Sequence, residues 1–247
     1  MEDKIMGRNP VLEAIRSGRS IDKILIKKGK YEGSIVPIIK KAKEVGIVLQ
    51  EVDKAKLDVA AEGGSHQGVI AYVSAYEYST VRDILNAARE KDEPPFVIIC
   101  DRITDPHNLG AIIRTANCVG AHGIIIPKRN SAGLNSTVAK ASAGAVEYVP
   151  VVRVTNIAST LEELKQRGVW TYAADMDGQD WCSVDYKGPT ALVIGSEGFG
   201  VSRLVKESCD FVISLPMKGK INSLNASVAC GVICYEVARQ RSGIVTK

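Results

Sequence analysis

The sequence predicts an α/β protein, a mostly parallel, doubly wound sheet preceded by a smaller α/β unit. Three observations predict it. Short continuous apolar runs recur, such as FVIIC over 96–100, and a run of that kind suits a strand covered on both faces. Between the runs lie stretches whose apolar residues return every three or four positions, the helical period, as over 157–167 before Gly168. The two kinds of segment alternate, and alternation is the signature of βα units.

In chain order, Asn9 followed by Pro10, Val11, Leu12 and Ile15 predicts a short capped helix with proline at its first position. A strand follows at 24–26, then a helix carrying Ile35, Ile38, Ile39 and Ala42, a strand at 47–52 and a short helix at 54–61. Gly63 and Gly64 lead into a strand at 69–73. Residues 1–73 therefore read as one small domain and the polar stretch 74–79 as a linker. Thr80, with Asp83 three residues on, then reads as the capped start of a helix, so the second domain is expected over 80–247. After Pro94 and Pro95 its strands are expected at 96–100, 122–126, 148–152, 169–173, 191–194 and 211–215, with helices between most of them.

Composition narrows the class. With 247 residues, 45% of them hydrophobic, the chain can build one large or two modest cores. No apolar run approaches bilayer-spanning length, and the opening MEDKIMGRNPV lacks the apolar core of a signal peptide, so a cytoplasmic protein without a membrane partner is expected. The six cysteines form no CxxC pair and the three histidines are widely spaced, which argues against a metal site. The net charge of +4 is small, but +3 of it lies in residues 1–73, with 13 Lys and Arg against 10 Asp and Glu. Lys27-Lys28-Gly29-Lys30 and Lys40-Lys41-Ala42-Lys43 are two clusters there that could follow phosphates, although such runs are more often solvated surface.

Three loops at predicted strand ends can carry chemistry, because ligands of open α/β sheets bind outside the carboxyl ends of the strands. The first, DRITDPHNLGAIIRTANCVGA over 101–121, opens a helix with Leu109, Ile112, Ile113, Ala116 and Val119 on one face and Arg114 almost opposite. Arg114 thus points away from its own sheet, toward solvent, RNA or a second subunit. Asn108 reads most simply as the cap at the helix start. The second, IGSEGFGVSRL over 194–204, spaces its glycines GxxGxG, which is not the dinucleotide fingerprint, and holds one carboxylate, Glu197. Gly195 would let backbone approach a ligand closely. The third, SLPMKGKINSLNAS over 214–227, passes from strand to helix; Gly219-Lys220 is followed by Ile221, so it is no phosphate loop. Beyond it Leu224, Val228, Gly231, Val232 and Tyr235 share one helical face. Its Ser223 and Asn225 either cap that helix or meet a ligand.

Together, Asn108 with Arg114, the GSEG at 195–198 and LPMKGKINSLNAS at 215–227 resemble the three signature motifs of the SpoU, or TrmH-like, RNA ribose 2'-O-methyltransferases, in the family's order. GRNPVLEAI at 7–15 and HQGVIAYV at 66–73 resemble the substrate-binding domain of the RlmB-type branch, which acts on a guanosine of 23S ribosomal RNA. The resemblance implies a deep C-terminal trefoil knot holding S-adenosylmethionine, and a homodimer. It implies cofactor contacts from Gly195, Leu215 and Leu224, and a catalytic group of Asn108, Arg114, Glu197, Ser223 and Asn225. A non-catalytic RNA-binding or ribosome-assembly protein on the same scaffold is the competing expectation, and a tRNA- or adenosine-directed methyltransferase is the other.

Overall fold

The structure is a computed structural model in which residues 3–221 and 223–243 are described. The chain divides into two compact units, Met1–Glu77 with Gly133–Ser136, and Tyr78–Ala132 with Thr137–Lys247.

The first unit contains β1 (Asp3–Met6), α1 (Arg8–Arg16), β2 (Ile21–Lys27), α2 (Ile35–Glu44), β3 (Val48–Val52), α3 (Lys54–Ala61) and β4 (Val69–Val73). Its sheet runs in the order β1-β4-β2-β3, with β2 and β3 parallel and β4 antiparallel to both of its neighbours. Because side chains alternate along a strand, the sheet feeds two cores. Ile24, Ile26, Val69 and Ala71 pack with Val11, Ile15 and Ile38 of α1 and α2, while Leu25 and Ile70 pack with Leu57 of α3. The first helix begins earlier than the sequence suggests. Its N-cap is Gly7, at φ 92°, and the amide of Arg8 donates to Gln67 Oε1 at 3.1 Å, so a side chain 59 residues away supplies the cap expected of Asn9.

The second unit contains α4 (Val81–Glu90), β5 (Phe96–Cys100), α5 (Pro106–Cys118), β6 (Gly123–Pro127), α6 (Ser136–Ala141, its first residue grouped with the other unit), β7 (Val151–Val154), α7 (Ile157–Gln166), β8 (Trp170–Asp180), β9 (Thr190–Ile194), α8 (Arg203–Glu207), β10 (Phe211–Ser214) and α9 (Ala226–Arg241). All neighbours in its six-stranded sheet are parallel, in the order β10-β8-β9-β5-β6-β7. The expected class is therefore the observed one. The capping box at Thr80 is also present: Asp83 N donates to Thr80 Oγ1 at 3.2 Å, and Thr80 N donates to Asp83 Oδ2 at 2.7 Å.

This strand order positions the site. From β5 the chain winds outward through β6 and β7, then returns to place β9 on the other side of β5, so the winding reverses between β5 and β9. A crevice opens at such a reversal, outside the carboxyl ends of the strands. The structure departs from the sequence reading at β8, which extends to Asp180 and makes an excursion: Val212 pairs with Ala173 but Ile213 pairs with Gln179. Gly178 permits the excursion, because a Cβ there would lie 2.5 Å from the backbone of Ile213. The last helix departs as well. Cys230, Ile233, Cys234 and Val237 form its buried face, whereas Val228, Val232 and Tyr235 are 50%, 38% and 59% exposed. The helix is apolar nearly all round, so periodicity alone could not choose its inner face.

The carboxyl end of α9 is clamped by main-chain carbonyls. Arg241 donates to Pro94 O at 2.7 Å, Pro95 O at 3.1 Å, Tyr186 O at 3.1 Å and Gly188 O at 2.7 Å, with its guanidinium over the Phe96 ring. Gln240 Nε2 donates to Val184 O, and Gln240 Oε1 accepts from Tyr186 N. Burial lowers the Arg241 pKa from its ordinary value, and the four carbonyls are what keep the cation solvated.

Candidate active site

Each member of the site sits where a strand of the second unit ends. Past β5, Asp105 is the N-cap of α5, its side chain accepting from His107 N at 2.8 Å, with Pro106 at the first helical position. This corrects the expectation that Asn108 caps the helix: relieved of that task and buried in the first turn, its side chain reaches across to the loop after β9. That loop is a tight turn closed by Gly200 N donating to Ser196 O at 2.8 Å. A Cβ on Gly195 would lie 2.0 Å from Gly200 C, so only glycine allows the loop to close. Asp101, buried at the end of β5, accepts from Ser202 N at 2.7 Å and fixes the far side of the turn.

Three of the predicted residues meet in a closed triangle. Asn108 Nδ2 donates to Glu197 Oε1 at 3.0 Å, Asn225 Nδ2 donates to Asn108 Oδ1 at 2.9 Å, and Asn225 Nδ2 also donates to Glu197 Oε1. Asn225 is at the same time the N-cap of α9, its Oδ1 accepting from Ser227 N at 3.0 Å and Val228 N at 3.3 Å. Because that oxygen is held by main-chain amides, the Asn225 amide must present its nitrogen to the other two residues. Ala226 N adds a longer contact to Glu197 Oε1, at 3.4 Å. One carboxylate oxygen thus collects three N–H groups, while Glu197 Oε2 has no hydrogen-bond partner among the described residues.

Beside the triangle lies a cleft of about 550 Å³, within the range of small-molecule sites. Gly195, Glu197, Leu215, Ser223 and Leu224 all line it, so the loops after β9 and β10 converge there as the sequence suggests. Ile194, Ile213 and Ile233 also line it, Asp175 and Met176 come from the β8 excursion, and Phe199 stands at its lining 84% exposed. Asp175 was hidden by the irregular DMDGQD run, although its place past a predicted strand end was the available signal. Ser196 Oγ, shielded from solvent, lines the cleft with no hydrogen-bond partner among the described residues. Arg114 lies apart from the cleft lining. It is exposed on the outer side of α5 and makes no hydrogen bond or ion pair with any described residue.

A parallel α/β sheet with a ligand-sized cleft past the carboxyl ends of β8, β9 and β10, and an amide-buttressed carboxylate between that cleft and the loop after β5, is a scaffold for an enzyme that binds a small molecule and moves a proton or a group beside it. Residues 95–235 match the SpoU rRNA Methylase family, and residues 4–79 match the RNA 2'-O ribose methyltransferase substrate binding family. The chain belongs to the SpoU family. It is 52% identical to YacO of Bacillus subtilis, a protein named for the TrmH family of tRNA/rRNA methyltransferases, over 98% of this chain and 97% of that one. A TrmH-family relative from Staphylococcus aureus is 48% identical over 99% of both chains. Among solved structures it is similar to the SpoU methyltransferase AviRb of Streptomyces viridochromogenes in complex with AdoMet, with a TM-score of 0.62 and 26% identity, over 98% of this chain and 91% of that one. It is also similar to the TrmH/SpoU tRNA modifying enzyme of A. aeolicus, with a TM-score of 0.56 and 34% identity, over 64% of this chain and 83% of that one.

Proposed function

We propose that the chain transfers the methyl group of S-adenosylmethionine to a ribose 2'-hydroxyl of RNA, and that the substrate is a guanosine of 23S ribosomal RNA in the cytoplasm. The observation that carries the reading is the Asn108–Glu197–Asn225 triangle beside the cleft. A carboxylate fixed by two side-chain amides at the edge of a ligand-sized cleft is the arrangement a positioned proton acceptor needs, which supports catalysis over RNA binding alone. The cleft suits the cofactor. Its isoleucines offer an apolar wall to a base, Ser196 Oγ is an unspent hydrogen-bonding group, and the Glu197 carboxylate favours a cation nearby, whereas Asp175 is already paired with Lys206 at 3.5 Å.

When bound, S-adenosylmethionine supplies an electrophilic methyl group, which leaves the chain to orient the hydroxyl and take its proton. Gly195, Leu215 and Leu224 hold the cofactor through main chain and apolar packing. Glu197 is fixed through Oε1, and its open Oε2 accepts the 2'-hydroxyl proton. Asn108 and Asn225 hold the carboxylate in place, and Ser223 contacts the ribose. A guanidinium stays protonated, so Arg114 acts as a cation, steadying the developing alkoxide or the adjacent phosphate.

The chain is further proposed to act as a homodimer, with the partner's Arg114 completing each site. Arg114 and the exposed stripe Val228, Val232 and Tyr235 lie on α5 and α9, which pack on each other, and both face outward. The trefoil knot belongs to the same proposal. From the edge strand β10 the chain returns to pack α9 on β9 and α5, where its end is gripped by the 184–188 and 94–95 carbonyls. In this reading residues 1–73 bind the RNA, 74–79 link, and 80–247 form the knotted catalytic domain.

The test is methyl transfer from labelled S-adenosylmethionine to 23S rRNA fragments and to bulk tRNA, followed by mapping of hydrolysis-resistant linkages. Label at one 23S guanosine ribose is expected. Label confined to tRNA would favour the second reading, which the names of the relatives also suggest. Label on a base would overturn the ribose assignment.

A further inference from the structure

The first unit carries a second concave feature, a groove of about 950 Å³. Five basic side chains line it, Arg8, Lys27, Lys28, Lys30 and Lys54, against two acidic ones, Glu32 and Asp58. Residues 1–73 hold 13 basic and 10 acidic residues in all, so outside the groove eight of each remain and cancel. The entire charge excess of residues 1–73 is therefore gathered in one hollow.

The lining is organised around that charge. Asp58 is engaged, its Oδ1 lying 2.9 Å from His66 Nε2. His66 Nδ1 accepts from Gly68 N at 3.0 Å, so the ring carries its proton on Nε2 and donates it to Asp58. Ser34, at the N-cap of α2, does not cap it; its Oγ accepts from Arg8 Nη1 at 3.2 Å. With no acidic residue in its first turn, the ten-residue α2 leaves the positive end of its dipole facing the groove, which Ser34 and Ile35 line. The half-buried ring of Tyr31 adds an aromatic edge among the lysines.

We infer that this groove binds the phosphodiester backbone of a single-stranded segment of the substrate RNA, and that the Lys27-Lys28-Gly29-Lys30 cluster, rather than Lys40-Lys41-Ala42-Lys43, makes the contact. The inference rests on the proposed function in taking RNA as the substrate. Both clusters qualify by sequence, yet only the first lines the groove; Lys40, Lys41 and Lys43 are exposed along α2 outside it. A basic hollow is the arrangement that follows the backbone of a flexible strand, with cations on phosphates, while the Tyr31 ring, packed on the core, forms part of its wall.

The two clusters provide their own control, because Lys27→Gln/Lys28→Gln/Lys30→Gln and Lys40→Gln/Lys41→Gln/Lys43→Gln remove equal charge from exposed positions of one unit. Binding of a fluorescein-labelled single-stranded RNA is followed by anisotropy across a salt series, without cofactor. The first variant is expected to bind about tenfold or more weakly at low salt, with the slope of log affinity against log salt shallower by about 2, near 0.7 for each lost phosphate contact. The second should stay close to the parent. Equal losses in both variants would reduce the effect to bulk charge and overturn the inference, as would parental binding by the first. Failure of the methyltransferase reading would show separately, as absent methyl transfer with the difference between the variants intact.

Discussion

At the scale of single residues, the site turns on which atoms are already committed. Glu197 Oε1 is committed to the amides and Oε2 is open, so Glu197→Gln should preserve the size of the turn while removing the proposed base. The expected loss in kcat is about 10²- to 10⁴-fold, well beyond any weakening of cofactor affinity measured by calorimetry. Asn225 has two tasks, and they can be separated. Asn225→Ser keeps an oxygen to cap α9, so the thermal stability should shift by less than about 0.5 kcal/mol, but it has no amide for Glu197 and should lose about a hundredfold in turnover. Asn225→Ala should lose both, including about 1 kcal/mol of stability. If Asn225→Ser were fully active, the amide contact would have no part in turnover. The sequence's loops and its family resemblance grouped Asn108, Glu197 and Asn225, and the three do meet. The simplest local reading of Asn108, as a cap, does not hold, because Pro106 at the first helical position makes Asp105 the cap.

At the scale of elements, the turn between β9 and α8 has no room for a side chain at its first position. Gly195→Ala forces a Cβ to within 2.0 Å of Gly200 C, so the turn must open. The variant is expected to lose cofactor binding measurably while the sheet still folds, since the clash is confined to the loop. The amino edge of the sheet carries a pH dependence. His122 Nδ1 accepts from Phe96 N at 3.0 Å and Nε2 lies 3.1 Å from Glu93 Oε2, so the folded ring is neutral and donates to Glu93. Burial lowers its pKa, an effect that the nearby Glu93 opposes in part. With the folded value below the unfolded value of about 6.5, the unfolded chain binds more protons as pH falls, so this contribution is complete above about 6.5 and is lost below it. Thermal melts should therefore show the parent losing more stability than His122→Gln between pH 7 and pH 5.5; parallel curves would exclude the histidine as the source. The central strands were legible because burial on both faces leaves a plain apolar run. The excursion in β8 and the inner face of α9 were not. The first follows from the close approach of Gly178 to Ile213, and the second from a helix whose residues 226–235 are apolar nearly all round, so tertiary partners decide both.

At the scale of the whole molecule, the outward Arg114 and the exposed stripe of α9 make a solution dimer the expected state. Mixing Arg114→Ala chains with Glu197→Gln chains should restore activity to part of the mixed population if each site borrows the partner's Arg114. No recovery above the two inactive parents would place the arginine in its own chain's site. The clamp on Arg241 bears on something else, the moment at which a site can first exist. The triangle draws on residues from 108 to 225, and α9, which Asn225 caps, is held at its far end by contacts made at 240 and 241. A chain still emerging from synthesis holds the first unit and most of the sheet before it holds the third corner of the triangle. Competence therefore waits for α9 and its anchoring, and a polypeptide ended before Asn225 would carry the basic groove without a complete triangle.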